Sequence, residues 1–276
     1  MDRPVISLLT DFGARDPSAG ILHGVILGIA PQASIVDISH EVRKYAIRDG
    51  ALLLWCALPY LPIGYHVAVV DPGVGTARRP IAIRTGRGDV LIGPDNGLLV
   101  GPADRLGGIS AVHELTAQAY RLPVVSTSFH GRDIFVPAAA HLANGVPLEH
   151  LGPAVDPATL VASPLPQPTR TDHGLATLIV YVDTFGNVKI GATRDELEAA
   201  IGPLVAGDPL QVAVAGRPPV AIGWRTTFGE TPLGTLLLYE DSYGRICLAE
   251  NQGDAATRLG LVEDQAVEIR RSAKSD

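Results

Sequence analysis

The amino-acid sequence predicts an α/β domain built on a mostly parallel sheet, followed by a smaller all-β domain. Three observations carry this. Through Val70, short apolar runs alternate with segments of helical period, the order that produces parallel strands joined by right-handed crossovers. Pro164, Pro166 and Pro168 then fall within five residues and read as a stiff linker. Beyond them, short apolar stretches are separated by Gly, Pro and Asp turns, the pattern of a barrel or sandwich. The expected boundaries are 1–162 for the first domain, 163–172 for the linker and 173–276 for the second.

Each element has its own signal. Val5 to Leu9 is a buried strand, closed by Thr10-Asp11-Phe12-Gly13, and Ser18 to Ile29 follows as a helix ended by Pro31. Gly20, Gly24 and Gly28 share one face of that helix, a spacing that predicts close packing on the sheet. Ser34 to Ile38 is the second strand, Ile47 to Leu58 the second helix and His66 to Val70 the third strand. Shorter strands at Ile81 to Arg84 and Val90 to Ile92 lead into the turn at Pro94-Asp95-Asn96-Gly97. A helix is expected from Ile134 to Ala143, with Asp133 as its cap and Gly145 as its end. In the second domain, strands are expected at Ala176 to Val182, Leu210 to Val214, Val220 to Ile222, Leu233 to Tyr239, Arg245 to Ala249 and Val267 to Arg270.

Composition narrows the function classes. The 276 residues are 46% hydrophobic and 18% charged, enough for a sizeable core and too apolar for disorder. The net charge of −7, with basic residues scattered, gives no nucleic-acid footprint. Cys56 and Cys247 sit in apolar runs and read as buried thiols rather than a disulfide or metal site. The N-terminus lacks the long apolar core of a signal peptide. The most apolar segment, Ala51 to Leu61, is shorter than the roughly 20 residues a bilayer needs. A cytoplasmic protein without membrane or nucleic-acid partners is expected.

The stretch VVDPGVGTARRP, residues 69–80, concentrates the candidate chemistry. Asp71 leaves the third strand as Asp11 leaves the first, so both carboxylates belong at one edge of a parallel sheet, where ligands bind. Either alone reads equally as an Asx turn or a helix cap. Arg78 and Arg79 are adjacent and point different ways: one can return to Asp71, and the other is expected as surface charge. His130 precedes the predicted helix, where the positive end of the dipole and a nearby Arg disfavour imidazolium. Gly131 beside it permits close approach to a ligand. His141 is expected to be an ordinary helix-face histidine. Asp183 and Asn187 share a turn with Gly186, where the Asn amide is suited to reading a base edge. The eight histidines show no metal-binding spacing, and the P-loop, GxGxxG and GxSxG motifs are absent.

Five motifs occur in a recognisable order: TDFG at 10–13, DPGVGTxR at 71–78, PDNGLL at 94–99, FHGRDIFxPAAAHLAxG at 129–145 and DxFGN at 183–187. Together they resemble the S-adenosyl-L-methionine (SAM) hydroxide adenosyltransferases, or SAM hydrolases, relatives of the SAM-dependent fluorinase and chlorinase. The resemblance spans almost the whole chain. It implies a Rossmann-like α/β domain followed by a β-barrel, and a homotrimer that binds SAM between subunits. The implied reaction is SAM and water giving adenosine and L-methionine. SAM is the substrate, with no metal and no further cofactor.

By resemblance, Asp71, Arg78 and His130 match a water-positioning triad, and Asp11 matches the residue that holds the ribose hydroxyls. Asp183 falls at the position meeting the methionine ammonium, Asn187 and Phe228 at adenine contacts, and Ser242, with Tyr243 beside it, near the methionine carboxylate. The chain departs from the family pattern at Tyr243, where the fluorinase has arginine. It departs again at Glu250, where an apolar residue or arginine is usual. An anionic Asp71 repels halide and so favours water as nucleophile. Alternative readings are a halogenase of the same family and a non-catalytic SAM or adenosine sensor. A methyltransferase would need a Gly-rich loop after its first strand, and TDFGARD is not one.

Overall fold

In the computed structural model, residues 3–272 are described; residues 1–2 and 273–276, at the ends of the two predicted domains, lie outside the described residues. The chain divides into two compact units, one ending at Pro164 and the other beginning at Leu165.

The first unit carries a six-stranded sheet, β1 (Val5–Thr10), β2 (Ser34–Ser39), β3 (Tyr65–Val69), β4 (Pro80–Thr85), β5 (Val90–Pro94) and β6 (Ile109–Glu114), in the order β2-β1-β3-β5-β4-β6. Its β2, β1 and β3 are parallel, as the alternating pattern predicts; β5 is parallel to β3 as well, while β4 runs antiparallel to both β5 and β6. The helices are α1 (Ser18–Ile29), α2 (Ile47–Ala57), α3 (Val100–Arg105) and α4 (Val136–Ala143). Side chains alternate across a strand. Ile6 and Leu8 of β1 join Leu22 and Ile26 of α1 and Phe135 and Ala139 in one core. On the other face, a Cβ on Gly50 of α2 would lie 2.9 Å from Leu98 Cδ1 and 3.6 Å from Leu9 Cδ2.

Two helix expectations change. Nothing lies within 4 Å of where Cβ atoms on Gly20, Gly24 and Gly28 would stand. That stripe faces away from the sheet, and α1 packs through Leu22 and Ile26 instead. The last helix begins earlier than predicted, as a π-helical turn at Gly131–Phe135 with His130 at its N-cap. Asp133 therefore lies fully buried inside the turn rather than capping it, accepting from Arg132 and from the Ser126 amide at 2.8 Å.

A polar chain crosses the same sheet. Ser7 Oγ and His66 Nδ1 are 2.7 Å apart, on paired positions of β1 and β3, and His66 Nε2 is 2.9 Å from Asp89 Oδ1. Burial alone would raise the Asp89 carboxyl, but hydrogen bonds from His66 and Arg87 outweigh it and hold the group far below the usual range. All three residues are at most 1% exposed, which keeps the serine from any substrate. The chain is structural.

In the second unit, seven strands close on themselves: β8 (Gly174–Val182), β9 (Val188–Thr193), β10 (Pro209–Val214), β11 (Val220–Trp224), β12 (Leu236–Glu240), β13 (Arg245–Glu250) and β14 (Ala266–Arg271). The closing contact is β14, which pairs with both β10 and β8. This is a barrel rather than a sandwich. Its interior is apolar, with Ile190, Leu210, Trp224, Leu238, Leu248 and Ile269 buried. The Pro-rich segment contributes a two-residue strand, β7 (Thr169–Arg170), against β8. Two helices complete the unit: α5 (Arg194–Ile201), with a Thr193/Glu196 capping box, and α6 (Ala255–Leu259), capped by Asp254. Cys56 and Cys247 are buried and not joined in a disulfide, as expected.

Candidate active site

The first unit holds a cavity of about 250 Å³ beyond the carboxyl ends of β1 and β3, lined by residues that include Asp11, Phe12, Asp71, Phe129, His130 and Gly131. Asp71 emerges where β3 stops, and the Pro-Gly turn after it doubles the chain back. Gly75 makes that turn possible: its φ is +77°, and a Cβ there would stand 2.4 Å from the Thr127 carbonyl oxygen. The close approach brings the turn against the 126–130 loop, which carries His130.

Arg78 returns to Asp71. Its Nε donates to both carboxylate oxygens at 3.0 and 2.9 Å, and Nη2 donates to Oδ2. The side chains are only 4% exposed for Asp71 and 10% for Arg78, so the pair works away from bulk water. The guanidinium also lies over the Phe135 ring, 5.2 Å from its centroid. Arg78 Nη1 is a buried donor with no hydrogen-bonding partner among the described residues.

The second partner of Arg78 is His130, with Nη2 2.8 Å from Nδ1. A guanidinium has no lone pair to offer, so Nδ1 accepts and the proton of the neutral ring sits on Nε2. Burial first, and the Arg78 charge second, push the His130 pKa below its ordinary value. The site thus holds a carboxylate, a guanidinium and a neutral imidazole in hydrogen-bonded sequence.

Asp11 lines the same cavity, with Oδ2 accepting from the Tyr45 amide at 2.9 Å. That bond holds Tyr45 at φ +65°, a conformation rarely adopted by a bulky residue. Lys44 and Tyr45 line the cavity too, and neither was singled out in the sequence, where nothing marks a left-handed tyrosine. Phe12 and Phe129 meet edge to face at 5.7 Å, and a Cβ on Gly131 would stand 3.4 Å from Phe12. Arg79 is not surface charge. It binds Asp95 at 2.6 and 2.9 Å and the Thr159 carbonyl at 2.7 Å, tying this turn to the Pro94-Asp95-Asn96-Gly97 turn.

The second unit has its own cavity of about 830 Å³, lined by all the candidates named there: Asp183, Asn187, Phe228, Ser242 and Tyr243. Asp183 organises its turn, accepting from the Phe185 and Asn187 amides at 2.9 and 3.0 Å and from Asn187 Nδ2 at 2.9 Å. Phe228 stands edge to face with Tyr239, centroids 5.0 Å apart. Lys189, absent from the sequence-level candidates, pairs with Asp241 and lies 4.9 Å from the Tyr243 ring. Glu250 lines the cavity with its carboxylate bound by Arg258 at 2.8 Å, so the charge unusual at that position is paired.

An α/β unit with a carboxylate–guanidinium–imidazole cluster at its strand ends is followed by a closed barrel with a second cavity, the layout of a two-domain enzyme. Family models for the SAM hydroxide adenosyltransferase N-terminal and C-terminal domains match residues 6–152 and 177–268. The chain belongs to the SAM hydroxide adenosyltransferase family. It is 43% identical over 266 residues to an (R)-S-adenosyl-L-methionine hydrolase of Salinispora tropica, covering 96% of this chain and 97% of that protein. A Thermus thermophilus protein of the same name is 40% identical over 276 residues, covering 97% and 99%. Fluorinases align at 26–27% identity. A crystal structure of a conserved Thermotoga maritima protein superposes with a TM-score of 0.89 at 33% identity, covering 96% of this chain and all of that one.

Proposed function

We propose that the protein hydrolyses SAM to adenosine and L-methionine by in-line attack of a water oxygen on C5′. The observation that supports this most is the Arg78 bridge between Asp71 and a neutral His130, beside Asp11 in one cavity. The sulfonium of SAM leaves as a neutral thioether, so departure needs no proton. The catalytic task is to present an oxygen about 3 Å from C5′ in line with the C–S bond. With the proton of His130 on Nε2, the imidazole orients the water as a donor, and Asp71 is the group that takes the water's proton. The Arg78 charge favours the hydroxide character that develops. No metal or cofactor enters this mechanism.

Asp11 takes the ribose hydroxyls, and Asn187 and Phe228 take the adenine. Asp183 takes the ammonium, and Ser242 with Tyr243 takes the carboxylate. One substrate must reach both sets of groups, and we place it between neighbouring subunits of a cytoplasmic homotrimer. Light scattering on the purified protein tests the trimer. The relatives' name specifies the (R) epimer at sulfur, and we extend that preference to this chain.

The test is incubation with epimerised SAM in halide-free buffer, followed by chromatography. Adenosine and methionine should appear as the (R) epimer is consumed. Intact SAM after hours, or products only when chloride is added, would overturn the reading in favour of a sensor or a halogenase.

A further inference from the structure

A second group of side chains converges outside the cavity just described, and it goes beyond the proposed hydrolysis. His23 in the middle of α1, Asp37 on the edge strand β2 and His40 just after it bring their ligand atoms within 4.8 Å of one another. Both imidazoles aim Nε2 at the same oxygen, Asp37 Oδ1, at 2.8 Å from His23 and 3.0 Å from His40. We propose that His23, Asp37 and His40 form a binding site for one divalent transition-metal ion of the zinc type.

Three features support it. The first is spacing. Tetrahedral metal–nitrogen and metal–oxygen bonds of about 2.0–2.2 Å put neighbouring ligand atoms roughly 3.4 Å apart, so the hydrogen-bonded contacts at 2.8 and 3.0 Å need to open by only about half an ångström to admit an ion. The second is the donor set. Two imidazoles and one carboxylate suit zinc, cobalt or nickel, whereas magnesium and calcium require oxygen-rich shells. The third is the support behind His40. Its Nδ1 lies 2.9 Å from Thr10 Oγ1, and Thr10 is fully buried. A hydroxyl can accept from Nδ1–H, which leaves the Nε2 lone pair free for a metal and fixes the ring, as partners of ligating histidines do.

Access and position fit as well. The side chains of His23 and Asp37 are 34% and 42% exposed, while that of His40 is 11%, so an ion has a solvent route to two ligands around one rigid one. The site also adjoins the loop that carries Asp11: the Gly13 amide donates to the His40 carbonyl at 2.7 Å, and the Val42 amide to the Thr10 carbonyl at 3.3 Å. A metal here would stiffen that loop from behind. No local motif reveals the site, because its ligands come from a helix, a strand and the turn after that strand.

The test uses the full-length protein, stripped with chelator and desalted. Zinc is titrated in competition with a chromophoric chelator, and cobalt is followed by its visible absorption band. One equivalent should bind, and His23→Ala and Asp37→Ala should each weaken binding at least about tenfold, since even loss of an outer partner costs that much. His23→Ala changes a partly exposed helix position, so loss of folding should not confuse the result. His173→Ala, at an exposed histidine, should bind as wild type does. Zinc should raise the melting temperature of wild type and leave that of His23→Ala unchanged. Equal titrations for wild type and His23→Ala, or no uptake up to about 1 mM, a weak affinity on the binding scale, would overturn the proposal and leave a hydrogen-bonded His–Asp–His cluster.

Discussion

Arg78 Nη2 lies 2.8 Å from His130 Nδ1 while the same guanidinium holds both oxygens of Asp71. One side chain therefore sets the tautomer of the imidazole and the orientation of the carboxylate. Asp71→Ala should lower kcat by at least about 100-fold, the lower end for loss of a general base, with a much smaller change in KM. Arg78→Lys should also lose turnover, because an ammonium cannot fork between two partners. Steady-state kinetics on both variants checks this, and an equal rise of KM with no loss of kcat would contradict it.

The low pKa of His130 has a sign that can be measured. Burial and Arg78 both disfavour imidazolium, so the ring should titrate below the ordinary 6.5. In Arg78→Gln the titration should move upward, since burial remains but the charge is gone. The unfolded chain binds the proton at higher pH than the native one. His130 therefore weakens the fold as pH falls below 6.5 and has no effect above it. Histidine NMR titrations of wild type and the variant report the direction. A wild-type value above 6.5 would be inconsistent with the geometry.

The Ser7–His66–Asp89 chain should matter to stability and not to chemistry. Removing one member of a buried ionic pair costs about 3–5 kcal/mol, and Asp89→Ala should lose that order in denaturant unfolding. Because the folded pKa of Asp89 is depressed, its contribution is present above the ordinary 3.8. It is lost as pH falls below that value. An unfolding free energy equal to wild type would show that the chain contributes nothing.

Gly75→Ala tests the turn. A methyl 2.4 Å from the Thr127 carbonyl at φ +77° must displace either the turn or the His130 loop. Backbone strain of about 1–3 kcal/mol is expected, with loss of both thermal stability and kcat. A variant as active as wild type would mean that the two loops are positioned independently.

In the second unit, Phe228→Ala should act on binding. Losing an aromatic face for a base costs about 1–3 kcal/mol, so KM should rise by roughly 5- to 150-fold with little change in kcat. A fall in kcat alone would move Phe228 out of the proposed adenine contact.

Much of this was legible locally. The helix at Ser18–Ile29 was readable to the residue, because apolar period and a following proline are short-range signals. The Thr193/Glu196 capping box announces α5 in the same way. Asp71 and Arg78 were pairable on paper because a Pro-Gly turn separates them by only seven residues. The glycine stripe on α1 misled, since helical period tells which residues share a face but not which face meets the sheet.

What the sequence determined by itself is the alternation that makes the sheet parallel, the turn after β3 and the motifs that mark the family. Each depends on neighbours in the chain. What only the tertiary structure decided is which partners meet across long separations. Arg79 goes to Asp95 and Thr159, Arg78 orders His130, and the ligand atoms of His23 converge with those of Asp37 and His40. Those contacts are fixed by strand register and helix packing, which no local pattern encodes.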